Sequence, residues 1–428
     1  MQPIFKEQIK RWSDLGYTLP ISEGIYWLDN GIIKAFNKNT GELCNLYKYK
    51  VFDDLSIQIT EHKEYAKSMK FIFETWEETV ERNIVKLNKL EDESINLISK
   101  FAKENPDYIK YVLTSTGKDS MVTLDLTKRV CPDVNVVFNN TSLDTADTYR
   151  MVKKHSDWRI LNPTEGFYQW TKRTDFIPTH YSRACCSIFK EGLGDLFYIN
   201  EGIKKLCLIM GIRNSESTKR AERGDFSRSP KWDNKKCKDW ISMYPIRKYT
   251  DFDVWLYILR HNVEINVEYK MGYKRVGCIV ACPYCTKSTW VLDKYWYPKL
   301  YQRWHNHLED TFKKTNGWFG WNCTVDEFHN CWNGGQIRKE PTDEVIQEMM
   351  EYKGISDENV VRQYFNKTCV NDGKNIRQKD TLAMNMKLFG RNIEKFKCKK
   401  CLMKEMNWTK EDWNEQVEDF KMQGCKLF

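Results

Sequence analysis

The sequence predicts an α/β protein built on a doubly wound parallel sheet, with a β-rich unit before it and a cysteine-bearing region after it. Two observations carry this. Between about residues 107 and 300, short β-branched or apolar runs alternate with helical stretches, the pattern of strands joined by helical crossovers. The first of these runs, from about Ile109 to Leu113, ends in a small loop, Ser115-Thr116-Gly117-Lys118-Asp119-Ser120. The apolar-periodic segment Met121, Leu124, Leu126 follows, which reads as strand, loop, helix.

Composition sets the outer bounds. At 428 residues the chain is long enough for two or three domains, and 41% hydrophobic with 30% charged residues describes a soluble globular protein. No apolar run is long enough to span a bilayer, and Met1-Gln2-Pro3-Ile4-Phe5-Lys6 lacks a secretory apolar region. A cytoplasmic protein with no membrane partner is expected. The net charge of +9 permits a polyanionic partner without demanding one. Fifteen cysteines, several in close groups, point to metal or sulfur chemistry more than to disulfides.

Taken in order, residues 1–65 form a β-rich unit. Ile25–Leu28 and Gly31–Phe36 are strand-like around Asp29-Asn30, and Asn39-Thr40-Gly41 marks a turn before Leu46–Tyr49, so a β-meander is expected. Residues 66–106 read as connecting helices, with Phe71, Phe73, Val80, Ile84, Leu87 and Leu90 at near-helical spacing and Asn105-Pro106 as the stop. In residues 107–300 further strands are expected at Val134–Asn139, Trp158–Leu161 and Lys205–Gly211, with helices at Asp147–His155 and Asp253–Arg260. Ligands of such sheets bind off the carboxyl ends of the strands. Residues 301–428 are aromatic, basic and irregular.

The chemistry-bearing residues cluster at those strand ends. The Ser115–Ser120 loop surrounds one point with backbone N–H groups, a helix N-terminus and the Lys118 ammonium, which suits a phosphate. The bland alternative is a Gly-Lys turn before a helix. The spacing is not that of a Walker loop. Arg213 and Arg220 follow a later strand and are suited to bidentate contact with phosphate or sulfate. Cys278, Cys282 and Cys285, with Cys185 and Cys186 about ninety residues earlier, can enclose an iron–sulfur cluster or a zinc ion. Buried free cysteines are the plain alternative.

Farther on, Trp304, Trp318, Trp321 and Trp332 are candidates for base stacking, though such residues are more often core. His305 and His307, two apart, make a weak ligand pair, and solvent exposure is expected for them. Cys398 and Cys401 precede a helix that Thr409 and Asp412 cap, whose stripe is Trp413, Val417 and Phe420. Together with Cys425 they make an incomplete zinc site that Cys369 or a histidine would complete. Cys425 is alternatively a redox thiol.

Ser-Thr-Gly-Lys-Asp-Ser resembles the S-x-G-K-D-S loop of the PP-loop ATP pyrophosphatases and of the phosphoadenosine phosphosulfate (PAPS) reductase superfamily. Five more stretches, in that family's order, extend the resemblance over roughly residues 107–290. Asn139–Tyr149 is similar to a nucleotide-holding strand end, and Tyr181–Lys190 to a tandem-cysteine segment followed by lysine. Gly211-Ile212-Arg213-Asn214-Ser215-Glu216-Ser217-Thr218-Lys219-Arg220-Ala221 looks very like G-x-R-x-x-[EQ]-S-x-x-R-A. Tyr244–Arg247 with Asp251–Trp255, and Gly277–Cys285, complete the set.

The resemblance implies an adenine nucleotide alpha hydrolase-like fold and an adenine nucleotide, ATP or an adenylyl-sulfate, held by Ser115, Thr116, Gly117, Lys118, Asp119, Ser120, Asp144, Arg213, Glu216, Ser217 and Arg220. It implies catalytic roles for Lys118, Asp119 and Arg213, with Cys425 the candidate redox thiol although Gly424-Cys425-Lys426 departs from the family's Glu-Cys-Gly. It favours a [4Fe–4S] cluster over zinc. Cys185, Cys186, Cys278, Cys282 and Cys285 compete for four ligand places, the favoured set being Cys186, Cys278, Cys282 and Cys285.

Two reactions fit: reduction of an adenylyl-sulfate, and ATP-dependent sulfur transfer as in nucleic-acid thiolation, where the DNA-phosphorothioation branch combines such a loop with a cluster. An electron- or sulfur-donor protein would then be a partner. A non-catalytic nucleotide- or nucleic-acid-binding regulator is the alternative of a different class. The basic residues Arg220, Arg223, Arg228, Lys231, Lys235, Lys236 and Lys238 are compatible with it.

Overall fold

The computed structural model describes residues 1–422 apart from 53, 175–176, 179–183, 230–236, 238, 315–323, 326–327, 330–331, 333–342, 355, 359–366, 377, 391–392 and 394. It divides into two compact units, Met1–His305 and Asn306–Phe428.

The first unit opens with a five-stranded meander. Strands β1 (Gln2–Pro3), β2 (Trp27–Asp29), β3 (Ile32–Phe36), β4 (Leu43–Val51) and β5 (Ile57–Glu61) pair in chain order, each pair antiparallel. The β2–β3 turn is made by Asn30 and Gly31, both at positive φ, as a tight hairpin with right-handed twist requires. A Cβ on Gly31 would lie 2.8 Å from the Tyr49 carbonyl oxygen, so the neighbouring strand also demands glycine. Side chains alternate between two cores. Tyr26, Leu28, Ile33 and Ala35 pack with Trp12 of the helix Lys6–Asp14, while Trp27 and Phe36 face the rest of the unit and meet Phe252 and Trp76. Neither the helix Lys6–Asp14 nor β5 was expected from the sequence.

The connecting helices are Trp76–Arg82 and Ile84–Glu104. The first starts at a capping box in which Thr75 and Glu78 satisfy each other's backbone N–H groups. That start excludes Phe71 and Phe73 from the helix. Phe73 instead forms a bridge with Asn37 and packs in the N-terminal core.

The central sheet contains β6 (Ile109–Thr114), β7 (Asn135–Asn139), β8 (Trp158–Leu161), β9 (Lys205–Met210), β10 (Phe226–Ser227) and β11 (Asp239–Met243), in the order β10-β11-β9-β6-β7-β8. All neighbours run parallel except the edge strand β10. Both faces are buried by alternate residues. Val112, Cys207 and Ile209 join the large core under the helices Ile84–Glu104, Lys118–Val130 and Asp251–His261. Tyr111, Leu113, Leu206 and Leu208 pack on the other side with Tyr198 of the helix Gly192–Asn200. This is the doubly wound α/β sheet that the alternating pattern predicts. The chain builds outward from β6 through β7 to β8, then crosses back to place β9 on the other side of β6. The switch point therefore lies between the carboxyl ends of β6 and β9.

In the second unit the helices Lys379–Phe389, Lys399–Met406 and Lys410–Met422 carry small cores, one around Met384, Leu402, Trp413 and Val417 and one around Cys369, Ile376 and Phe396. Thr409 and Asp412 cap the last helix through reciprocal bonds of 2.7 and 3.1 Å. Among the described residues no helix is long and apolar enough to cross a membrane.

Candidate active site

The loop after β6 opens the switch-point crevice. Thr116 is fully buried at φ 58, in the left-handed region, with its N–H on the Thr114 hydroxyl at 3.1 Å. Gly117 is the N-cap of the helix Lys118–Val130. The Ser120 hydroxyl donates to the Gly117 carbonyl at 2.8 Å and accepts from the Ser115 N–H at 3.2 Å, closing the loop on itself. From the other side comes the end of β9. A Cβ on Gly211 would stand 2.5 Å from the Asp119 carbonyl carbon and oxygen, so only glycine lets that strand end approach the helix so closely.

Four charged side chains meet in this crevice, and the Met1 ammonium stands 3.3 Å from one of them, Asp251. The Lys118 ammonium lies 2.9 Å from Asp119 and 3.0 Å from Asp251, and the Arg213 guanidinium bonds the same two carboxylates, reaching Asp251 at 3.2 Å. Burial opposes the charge on Lys118, but Asp119, Tyr269 and Asp251 outweigh it and raise its pKa above the ordinary lysine value. Asp251 feels the same contest in reverse: burial pushes it up, Lys118 and Arg213 pull it down, and the net shift is downward. Arg213, only 5% exposed, is thus a member of a buried ion network and does not line the neighbouring cavity.

The short helix Val267–Lys270 holds the loop from below. The Tyr269 hydroxyl accepts the Lys118 N–H at 2.8 Å. The Asn266 amide donates to Thr116 Oγ1 at 3.0 Å and to Thr148 Oγ1 at 2.8 Å, and Glu268 accepts from Thr145. Burial drives the Glu268 carboxyl up to about 8 despite that bond. Asp144, also raised by burial, accepts from the Thr141 hydroxyl at 2.7 Å. It shapes its own loop, and Thr141, not Asp144, faces the cavity.

That cavity, about 600 Å³, is lined by Cys185, Cys186, Cys278 and Cys282 together with Lys190, Arg220, Arg223, Arg275, Glu216 and Ser217. Cys285 lies beyond its wall, in a smaller recess shared with Cys278 and Cys282. The two cysteine segments, far apart in sequence, are thus brought together. Cys185 and Cys186 open a π-helical turn, Cys186–Glu191, whose Lys190 ammonium sits among the thiols. Its strongest partner is Cys278, which raises the pKa of the amine. Cys278 itself is held protonated well above the ordinary thiol range by its hydrogen bond with Cys282 and then by burial, with Lys190 acting in the opposite direction.

In the Cys278–Cys285 loop, Val280 adopts φ 60, an unfavourable conformation for a β-branched side chain. Glu216 and Arg220 pair with each other, and Glu216 accepts the Arg213 N–H at 2.9 Å.

The donor set fits a thiolate-bound metal. Several soft ligands face one space beside a buried cation that favours their ionised form, and a bound cation would relieve the mutual repulsion that keeps them protonated. Cys185, Cys186, Cys278, Cys282 and Cys285 are the residues that would hold it.

Residues 110–284 match the profile of the phosphoadenosine phosphosulfate reductase domain. This segment belongs to that family. An uncharacterised protein of Methanocaldococcus jannaschii is 29% identical over 253 residues, 58% of this chain and 59% of its own length. A second from the same organism is 33% identical over 231 residues, 52% and 46%. The adenosine 5′-phosphosulfate reductase of a Geobacillus species is 23% identical over 214 residues, 48% of this chain and 86% of that protein. The chain spans about half the length of the first two relatives. Outside the PAPS reductase domain, the N-terminal meander and the Asn306–Phe428 unit lie beyond the matched segment.

The remaining expected site residues fall out as follows. Cys398 and Cys401 come together with Cys369 and Asp372 in the second unit. Cys398 is the N-cap of the helix Lys399–Met406 and Cys401 lies within it, so this pair sits on a helix of its own. Cys425, Trp318, Trp321, Lys231, Lys235, Lys236 and Lys238 lie outside the described residues. Trp304 and Trp332 are each only 1% exposed, so neither offers a face to a base. Arg228 turns inward to the carbonyl oxygens of Cys237 and Trp240. His307 is buried, not exposed as the sequence suggested, because it follows the packed face of the helix Pro298–Lys314.

No local sequence signal marks Asp251, Tyr269, Asn266, Lys190 or Arg275 individually as a site residue. Asp251 and Lys190 lay inside recognised motifs. The spacing of Tyr269 and Asn266 carries no signal, since they reach the loop only through the fold.

Proposed function

We propose that the chain is an adenine-nucleotide-dependent sulfur enzyme. The nucleotide binds at the switch-point crevice and sulfur is handled at the thiol-lined cavity beside it. One observation carries this reading: thiols and cations share the walls of a single cavity, in which Arg220, Arg223, Arg275 and Lys190 face Cys185, Cys186, Cys278 and Cys282. Cations of that number suit phosphate or sulfate groups, and clustered thiols suit sulfur or metal chemistry. In this reading Lys118 and Asp119 set the charge of the loop and Arg213 positions Asp119. A [4Fe–4S] cluster held by four of the five cysteines would supply electron or sulfur chemistry when bound.

Adenylyl-sulfate reduction is the first of the two reactions, supported by the named activity of relatives that align over nearly half of the chain. ATP-dependent sulfur transfer is the second, and the buried Lys118-Asp119 pair of the loop favours it. Product analysis separates them. Sulfite formed from adenylyl-sulfate with a reductant supports the first, and AMP with pyrophosphate formed from ATP supports the second. Neither product, from protein that binds neither nucleotide, would reject the enzyme reading.

A further inference from the structure

We propose that Cys369, Asp372, Cys398 and Cys401 form a zinc site of three sulfurs and one oxygen that staples the C-terminal unit, separate from the upstream cysteines. One sulfur or carboxylate oxygen from each of the four residues lies within 4.8 Å of all the others. A tetrahedral zinc with bonds of about 2.3 Å to sulfur sets its ligands about 3.8 Å apart, so the group needs only a small contraction. Cys398 Sγ and Asp372 Oδ2 are already 3.4 Å apart.

The backbone around the four residues is built for convergence. Cys369 and Asp372 lie on a tight turn. The Cys369 N–H donates to the Lys374 carbonyl at 2.8 Å, the Gly373 N–H returns to the Cys369 carbonyl at 2.8 Å, and Thr368 bridges Asn375. Gly373 takes the left-handed φ that this turn needs. Cys398 and Cys401, three apart at the start of the helix Lys399–Met406, share one face of it. The Val370 N–H bonds the Phe396 carbonyl at 2.9 Å, tying the turn to the chain just before the helix. Buried Asn385 clamps the same segment through two 2.8 Å bonds to Lys397.

The surrounding chemistry suits zinc. Three thiolates and a carboxylate carry an excess of negative charge, and the Lys374 ammonium stands 4.0 Å from Asp372. Sulfur-rich sets of this kind select zinc over hard cations. The described core beside the site consists of Cys369, Ile376 and Phe396 with partly buried neighbours, too little apolar burial to order such a segment unaided.

Elemental analysis of the full-length protein, purified without chelator, tests the site. Wild type and Cys278→Ser/Cys282→Ser should both carry about one zinc per chain, while Cys398→Ser/Cys401→Ser should lose tenfold or more of it. Zinc retained in that last variant, no zinc taken up by wild type against a competing dye, or iron in zinc's place would overturn the assignment. Asp372→Cys guards against a variant that merely fails to fold. Loaded with cobalt(II), it should gain about a third in thiolate-to-metal charge-transfer intensity over wild type as three thiolates become four. Unchanged intensity removes Asp372 from the ligand set and overturns the proposed site.

Discussion

Gly211 and Asp119 touch: a methyl group at Gly211 would lie 2.5 Å from the Asp119 carbonyl carbon and oxygen and 2.8 Å from the Ser120 nitrogen. The end of β9 and the first turn of the Lys118–Val130 helix are thereby packed backbone to backbone across the switch point. That contact also sets where Arg213, two residues on, meets Asp119. Backbone cannot yield as a flexible side chain does. Gly211→Ala should therefore cost about 1–3 kcal/mol of stability and displace Arg213 from Asp119. Thermal unfolding and nucleotide binding together check this. An alanine variant with unchanged melting and unchanged affinity would contradict the close packing.

Lys118 is the residue whose loss should matter most for the nucleotide. In Lys118→Ala the carboxylates of Asp119 and Asp251 lose the one ammonium that contacts both and keep Arg213, with the Met1 ammonium on Asp251 alone. The site loses one positive charge where an anionic ligand is proposed to enter. Turnover should fall by about a hundredfold or more, the scale seen when one preorganised charge-stabilising group is removed. Steady-state kinetics on either candidate substrate read this directly, and full turnover in the variant would exclude the loop as the nucleotide site.

Glu268 makes stability depend on pH. Its carboxyl titrates near 8 in the folded protein because burial disfavours the ionised form, against an ordinary value of 4.5. Between those values the unfolded chain has released the proton that the folded chain keeps. Its contribution therefore declines as pH rises from about 4.5 to about 8, by at most about 1.4 kcal/mol per pH unit. Glu268→Gln has no proton to release, so denaturant midpoints for the variant should decline less than for wild type over that window. Parallel curves would show that Glu268 is ionised in the fold.

The cluster reading makes an analytical prediction. Protein isolated anaerobically should contain about four irons and four sulfides beyond any zinc, with a broad visible absorption that bleaches on reduction. Cys278→Ser/Cys282→Ser should lose both iron and colour. Zinc as the sole metal, without sulfide, would leave a nucleotide-binding protein with structural metal sites.

Much of this was legible in the sequence because the signals are local. The β6 loop, the start of the following helix and the strands at Trp158–Leu161 and Lys205–Met210 are set by β-branched runs, a glycine and hydroxyl side chains acting within a few residues. The tandem cysteines and the Cys278–Cys285 group were visible as metal-ligand types at short spacing. The N-terminal helix and β11 carry weak local signals. Lys6–Asp14 carries little apolar character, and β11 is a parallel strand of five residues without a β-branched run.

What the sequence determined by itself is the fold class, the strand–loop–helix around Ser115–Ser120 and the residue types available for sulfur and metal chemistry, since each depends on periodicity or on neighbours in the chain. Tertiary structure alone decided their partners. It turned Arg213 inward onto Asp119 and Asp251, set Tyr269 and Asn266 beneath the loop, and put Lys190 among thiols some ninety residues away. It also paired Cys398 and Cys401 with Cys369 and Asp372. The physical reason is range: hydrogen bonding and periodicity act over a few residues, whereas the parallel crossovers of a doubly wound sheet bring together groups whose separation along the chain carries no trace of their contact.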